Sequence, residues 1–183
     1  MKFLTAEEAK IWCDGRALNL TADMRPYYEG NPQCFTIGLE EKASRVIALA
    51  DYLIPTWNDV HFSGALLWIR ERGIWGDFSE KVGAIILEHM RRAQGERATV
   101  EERPGHLFGP QELLEMHSYF LLPMLFGWDA FLVSEDGDYF IFVSHDGVAE
   151  VVARNPETTD LMRQHVKDWN PREGRSYYQK PKP

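Results

Sequence analysis

The stretch Ser144-His145-Asp146 contains the residue types of a nucleophilic triad. Such a triad requires the serine hydroxyl and the imidazole to be in hydrogen-bond contact. The stretch lies in a predicted β-strand, where neighbouring side chains point to opposite faces. The sequence also has no Gly-x-Ser-x-Gly elbow. We therefore expect no catalytic triad and no catalytic residue here.

The same end of the predicted sheet gathers side chains that suit ligand binding. His145 lies beside Trp128 and Asp129 in the predicted strand pairing, and the loop that carries His106 could reach them. Imidazoles, carboxylates and an aromatic ring can bind a polar ligand or transfer protons. The structural alternative is that the aspartates accept from turn amides, that His145 packs on Trp128 and that His106 caps a loop. The candidate ligand-binding residues are His106, Trp128, Asp129, Ser144, His145 and Asp146.

Motifs for metals and cofactors are missing from the sequence. The histidines show no metal-ligand spacing, and there is no HExxH, no Walker loop and no Gly-x-Gly-x-x-Gly motif. Cys13 and Cys34 match neither a zinc site nor a disulfide framework, so both are predicted to be reduced thiols. We expect no metal and no cofactor, and a non-enzymatic protein is favoured over an enzyme.

The charge and apolar runs of the chain bear on its partners and location. The net charge of −8 argues against nucleic acid and anionic membranes as partners. The longest apolar run, 119–128, is too short for a membrane span and is broken by Pro123 and Gly127. The charged N-terminus does not resemble a signal peptide. These features predict a soluble protein in the cytoplasm.

Two turn signals divide residues 128–154 into an antiparallel meander of three strands. Asp136-Gly137 and Asp146-Gly147 are typical of two-residue hairpin loops. Loops of that length determine which residues face each other across the strands. The predicted register pairs Phe131 with Phe142, and Phe142 with Val151.

Alternation along the predicted strands places apolar side chains on both faces of the sheet. A sheet with two apolar faces must be covered on both. The predicted helices can cover one face. The second face needs the irregular N-terminal segment, the tail or another subunit. One predicted face carries Phe131, Val133, Phe140, Phe142 and Val151, and the other carries Ala130, Leu132, Ile141, Val143 and Val152.

Three amphipathic helices are predicted at 39–54, 78–93 and 110–122, and Pro123 should end or kink the last of them. Residues 62–72 fit either a helix or a buried strand, and we favour a strand near 65–70. The resulting fold class is α+β. The second helix is predicted to bury Val82, Ile85, Ile86, His89, Met90 and Ala93.

The rest of the chain is predicted to form two short helices, at 5–12 and 157–167, and irregular segments. Turn residues predict a loop region at 14–38 and a polar linker at 96–109. Residues 1–167 form one predicted domain, and 168–183 form an extended basic C-terminal tail.

Several short strings resemble those of a group of small uncharacterised bacterial proteins. The resemblance covers roughly residues 60–150 and implies a bacterial cytosolic protein without implying any chemistry. The strings are Leu66-Leu67-Trp68, Gly73-Ile74-Trp75, Pro104-Gly105-His106-Leu107-Phe108, Gly127-Trp128-Asp129 and Ser144-His145-Asp146.

Two classes of function are consistent with these features. The first is an interaction protein without catalytic activity, such as an adaptor or an immunity-type protein, which binds another protein or forms a homodimer. It is favoured by the acidity, the small size and the aromatic residues predicted in loops. The alternative is a small-ligand-binding protein or enzyme that uses the corner at Trp128 and His145.

Overall fold

An eight-stranded antiparallel sheet with helices on both faces forms the body of the protein. The structure is a computed structural model that describes residues 1–30, 32–54, 62–74 and 76–174. The α+β prediction is confirmed, as is the strand predicted near 65–70. In spatial order the strands are β1 (Lys2–Leu4), β6 (Gly105–Phe108), β5 (Ala65–Glu71), β7 (Asp129–Ser134), β8 (Tyr139–Ser144), β9 (Val148–Ala153), β4 (Gln33–Gly38) and β10 (Arg172–Glu173).

Five α-helices and a two-stranded ribbon complete the described residues. The ribbon, β2 (Asn19–Leu20) with β3 (Pro26–Tyr27), lies within the region that was predicted to be irregular. A single 3-10 turn, Lys167–Trp169, follows the last helix. The helices are α1 (Ala6–Asp14), α2 (Ala43–Leu53), α3 (Phe78–Ala93), α4 (Leu113–Phe126) and α5 (Pro156–His165).

The register of the meander is correct in its first hairpin and wrong in its second. Phe131 faces Phe142 as predicted. Phe142 faces Glu150, however, and not Val151. The pairing of Ser144 with Val148 leaves three residues in the loop where two were predicted. This one-residue shift exchanges the two faces of β9. Val151 packs on the face covered by α2 and α4, and Val152 packs on the face covered by α1.

The N-terminal segment covers the second apolar face of the sheet. Ala9 and Cys13 of α1, together with Leu18 and Tyr28, form a second core cluster with that face. The Tyr28 hydroxyl donates to the carbonyl oxygen of Gly137 at 2.9 Å and ties the segment to the first hairpin loop. Of the N-terminal segment, the tail and another subunit, the first therefore covers this face, and the face needs no second subunit.

Six short strands of the described residues were missed by the sequence prediction, namely β1, β2, β3, β4, β6 and β10. The pairing of β4 with all six residues of β9 corrects the loop predicted at 14–38. The pairing of β6 with β5 and β1 corrects the linker predicted at 96–109. The strand β10 pairs with Thr36 and Phe35, so the predicted tail begins by adding to the sheet. Residues 175–183 of that tail lie outside the described residues.

The helix α4 continues through Pro123, which was predicted to end or kink it near that point. The proline ring removes one helical hydrogen bond, at a usual cost of about 3 kcal/mol. Leu122, Pro123 and Met124 are all buried, and their packing offsets this loss. The helix ends at Gly127, whose φ of 62° is a left-handed conformation that favours glycine.

The helix α3 buries the face opposite to the predicted one. Its buried residues are Glu80, Gly83, Leu87 and Arg91. A side chain at Gly83 would put its Cβ atom 2.4 Å from the Phe126 ring, so only glycine permits this close approach. The Glu80 carboxylate accepts from the amides of Ile74 and Gly76, both at 2.7 Å. Polar groups near both ends and a glycine between them thus orient the helix.

Arg91 holds the end of α3 against the polypeptide that follows it. Its guanidinium group donates to the carbonyl oxygens of Arg103 at 2.9 Å, and of Ala98 and Thr99 at 3.1 Å. A further contact of 2.9 Å joins its Nη1 to Nε2 of His106. The side chain is fully buried. Such a cation is tolerated because several acceptors replace the water that it loses.

We expect Arg91→Met to lower the free energy of unfolding by about 3 kcal/mol, because three buried carbonyl groups lose a charged donor. The neighbouring Arg92 is exposed and provides the matched control. Arg92→Met should change the stability by less than about 0.5 kcal/mol. Urea unfolding of both variants measures the difference, and equal stabilities would contradict this role for Arg91.

Candidate functional site

Asp129, His145 and Arg70 form a hydrogen-bonded cluster at one end of the sheet, which we call the Asp129 corner. Asp129 begins β7, and its side chain is 5% exposed. One oxygen accepts from the His145 backbone amide at 2.9 Å and lies 2.8 Å from Nδ1 of the same residue. The other oxygen accepts from Arg70 at 3.3 Å. The carboxylate therefore links the end of β5 to the loop between β8 and β9.

The His145 imidazole in this corner favours its protonated form. The hydrogen bond to Asp129 raises its pKa above the usual 6.5, and the nearby charges of Asp146 and Glu71 act in the same direction. The Asp146 carboxylate lies 3.6 Å from Nε2. An imidazole with a raised pKa is protonated to a greater extent near neutral pH, so it presents a positive charge more often than a free base.

Ser144 and Trp128 add no accessible reactive or ligand-binding group to this corner. The Ser144 hydroxyl oxygen accepts from the Asp146 amide at 3.2 Å, which closes the turn. The Trp128 ring is fully buried on the helix side, against Gly83 and the Phe126 ring. The structure thus brings Asp129, Ser144, His145 and Asp146 together and places Trp128 away from the ligand-accessible surface.

His106 lies far from the corner. It belongs to β6, and β5 and β7 separate that strand from β8, so three strand spacings of about 4.8 Å, roughly 14 Å, lie between them. The His106 ring is fully buried between Arg91 and the Pro104 carbonyl oxygen, which is 3.1 Å from Nδ1. Burial and the charge of Arg91 lower its pKa to about 3. His106 is therefore a neutral residue of the core and does not supply a second imidazole to the corner.

An open groove of about 350 Å³ runs along the end of β5, next to the corner. Trp68, Arg70 and Arg72 line one side of it, and Val100 and Glu101 line the other. Arg72 donates to the Glu101 carboxylate at 2.7 Å. The guanidinium groups of this groove are thus bound to carboxylates of the protein.

One exposed surface of α3 was predicted from the sequence to lie in the core. Phe78 is 81% exposed, Ile85 is 56% exposed and Ile86 is 39% exposed. Val82 is half-buried and His89 is exposed. The prediction that this face is buried is therefore wrong, except that Met90 is partly buried and packs against the core. We call Phe78, Val82, Ile85, Ile86 and His89 the α3 stripe.

The pattern of the same helix contained a signal for this reversal. Glu80, Gly83, Leu87 and Arg91 also follow helical spacing, at positions i, i+3, i+7 and i+11. Two of these residues are charged, so apolar periodicity alone could not reveal their burial. A glycine in the middle of the face indicates a close approach of another element, here Phe126.

Metal and membrane sites are not indicated among the described residues. No group of three or more histidine, cysteine, aspartate or glutamate side chains is arranged to hold a metal ion there. No helix in these ranges has the length and apolar character needed to cross a membrane.

No known protein family, curated protein or solved structure matches the chain. The choice between candidate functions therefore depends on the contacts and surfaces of this molecule.

We expect the His145 pKa to fall towards 6.5 in Asp129→Asn, because the variant removes the negative charge and leaves the ring a weaker, neutral amide acceptor. The raised pKa stabilises the fold below about pH 6.5, and this contribution disappears as the pH rises through the folded-state pKa. Titration of the imidazole by NMR in wild type, Asp129→Asn and Asp146→Asn measures the effect. A larger shift in Asp146→Asn than in Asp129→Asn would contradict the assignment.

Proposed function

We propose that this protein is a non-catalytic interaction protein that binds another protein through the α3 stripe. The observation that carries the proposal is the outward position of apolar side chains along one helix face. Phe78, Ile85 and Ile86 are each more than a third exposed, although fully burying such a side chain is worth about 1.5–3 kcal/mol. Contiguous apolar surface of this kind is typical of a surface that a partner covers.

The position of α3 supports this proposal because it is not a consequence of loose packing. Arg91 and Glu80 are buried and hydrogen-bonded on the opposite face, and Gly83 contacts the Phe126 ring. Rotation of the helix to bury Ile85 would expose these contacts and break them. The stripe is therefore presented by a firmly held helix, as an interface requires.

The composition of the chain supports the same class of function. A net charge of −8 keeps an exposed apolar surface from causing non-specific association. The size and acidity are those expected of an adaptor or an immunity-type protein. The Ser144 hydroxyl group of the Asp129 corner is buried and bound in a turn, so it is poorly placed to act as a nucleophile.

A small-ligand-binding protein is the second candidate, and the groove beside Arg70 is the observation that favours it. The groove of about 350 Å³ has the volume of a small-molecule site. Arg70 and Arg72, however, contact the carboxylates of Asp129 and Glu101. A ligand would have to compete with these ion pairs, which makes this candidate the weaker one.

Photo-crosslinking tests the interaction proposal directly. A photoreactive phenylalanine analogue replaces Ile85 in the full chain, which is expressed in bacterial cells and irradiated. We expect a discrete covalent adduct with a protein, because Ile85 lies at the centre of the stripe. The adduct should be identified by mass spectrometry of the crosslinked peptide.

The same probe at Leu161 of α5 is the matched control, since this residue is also apolar and is 45% exposed. An adduct formed from position 85 and not from position 161 supports the proposal. Absence of an adduct at position 85, or identical adducts at both positions, would overturn it.

A further inference from the structure

We infer that the partner of the α3 stripe is a second copy of this chain, with the two α3 helices antiparallel across a two-fold axis near Ile85 and Ile86. The inference rests on the proposed function, because it uses the same surface, and it names the occupant. In a two-fold interface each feature of the surface must meet its complement on the same surface. The stripe provides such complements in its shape and in its charges.

Shape complementarity comes from the two ends of α3. Phe78 protrudes at the first position, and the small Ala93 lies at the last. An antiparallel pairing about the middle of the helix places each Phe78 opposite Ala93 of the other copy. Ala93 and Met90 border a groove of about 270 Å³ whose other side is formed by Leu114 of α4. The largest side chain of one copy thus lies level with a small residue of the other, which leaves room for the ring.

Leu114 adds to the apolar surface at this end of α3. It is 79% exposed although it is a large aliphatic residue. It borders the same groove as Met90 and Ala93, on the α4 edge of the stripe. Both strongly exposed side chains, Phe78 and Leu114, would be covered by one interface.

Charge complementarity comes from Lys81 and Glu88, which flank the stripe on the same side of α3. The Glu88 carboxylate also lies 3.8 Å from the Arg72 guanidinium group of its own chain, and the contact with Lys81 would add to that pair. Positions 81 and 88 lie seven residues apart, almost two helical turns, and therefore share one edge of the helix. Antiparallel pairing about the helix centre brings Lys81 of each copy near Glu88 of the other. The two contacts are equivalent by symmetry, as are the flanking charges of antiparallel helix pairs.

The local charge also favours self-association over a strongly basic or acidic partner. The stripe is flanked by Lys81, Glu88 and Arg92, so its surroundings contain both signs although the chain carries −8. The helix is about 24 Å long and 10 Å wide. With the neighbouring end of α4 it offers well under the roughly 800 Å² per partner of a stable complex. We therefore expect a micromolar dimer.

Light scattering and sedimentation of the wild-type chain test the inference first. The mass should rise from 21.2 kDa in dilute solution towards twice that value at several hundred micromolar. Lys81→Glu should weaken the dimer about tenfold, because two attractive contacts become repulsive. Glu88→Lys should do the same. Circular dichroism should show both variants folded.

A mixture of the two variants gives the decisive result. In a heterodimer of Lys81→Glu with Glu88→Lys, both contacts again join opposite charges. The mixture should therefore recover wild-type affinity, while each variant alone does not. Leu161→Ser on α5 is the control, and its dimerisation should be the same as that of wild type.

Two results would overturn the inference. One is a wild-type mass of 21.2 kDa at all concentrations, and the other is a dimer that neither charge reversal weakens and mixing does not restore. In both cases a crosslinked adduct from Ile85 with a different protein would leave the proposed function standing. Loss of that adduct as well would refute both.

Discussion

The buried guanidinium group of Arg91 is the interaction on which the rest of the structure depends. It joins the end of α3 to the carbonyl oxygens of Ala98, Thr99 and Arg103, and to His106. A buried charge has few positions in which all its donors find acceptors. The rotation of α3 follows from this requirement. The apolar stripe is exposed because the opposite face of α3, which carries Arg91 and Glu80, must be buried for these groups to reach their hydrogen-bond partners.

The same arrangement explains why His106 belongs to the core. Its Nε2 atom lies 2.9 Å from Arg91, and the permanent charge of the arginine makes this nitrogen the acceptor. Nδ1 then carries the proton and donates to the Pro104 carbonyl oxygen. The loop between α3 and β6 is thereby fixed on both sides. This loop was predicted to be a linker because its structure depends on contacts that a local pattern does not contain.

Local patterns predicted those parts of the fold that local chemistry determines. The Asp136-Gly137 turn predicted the register of β7 with β8, and the apolar run at Ala65 indicated a central strand. The Asp146-Gly147 turn misled the prediction because His145 joins the loop, where its amide donates to Asp129. A contact with β7, outside the second hairpin itself, thus decides the length of that loop.

The short strands β4 and β6 could not be predicted, since each is identified by its partners and not by its own sequence. Gln33–Gly38 contains two buried residues, Phe35 and Ile37, whose alternation is too brief to indicate a strand. The candidate site was predicted in part. The contact between Asp129 and His145 follows from the register of β7 and β8, whereas the α3 stripe requires knowledge of the polar contacts on the other face of the helix.

The reactivity of a thiol placed on α3 tests the central claim most directly. Ile85→Cys in a Cys34→Ser background carries one thiol on the stripe and retains Cys13, which is buried and whose pKa is raised to about 12. Disulfide-exchange labelling of dilute protein should modify position 85 rapidly and Cys13 slowly. The rate at position 85 should fall as the protein concentration rises. Labelling at position 85 as slow as at Cys13 in dilute solution would contradict the account, because the α3 stripe would then lie in the core.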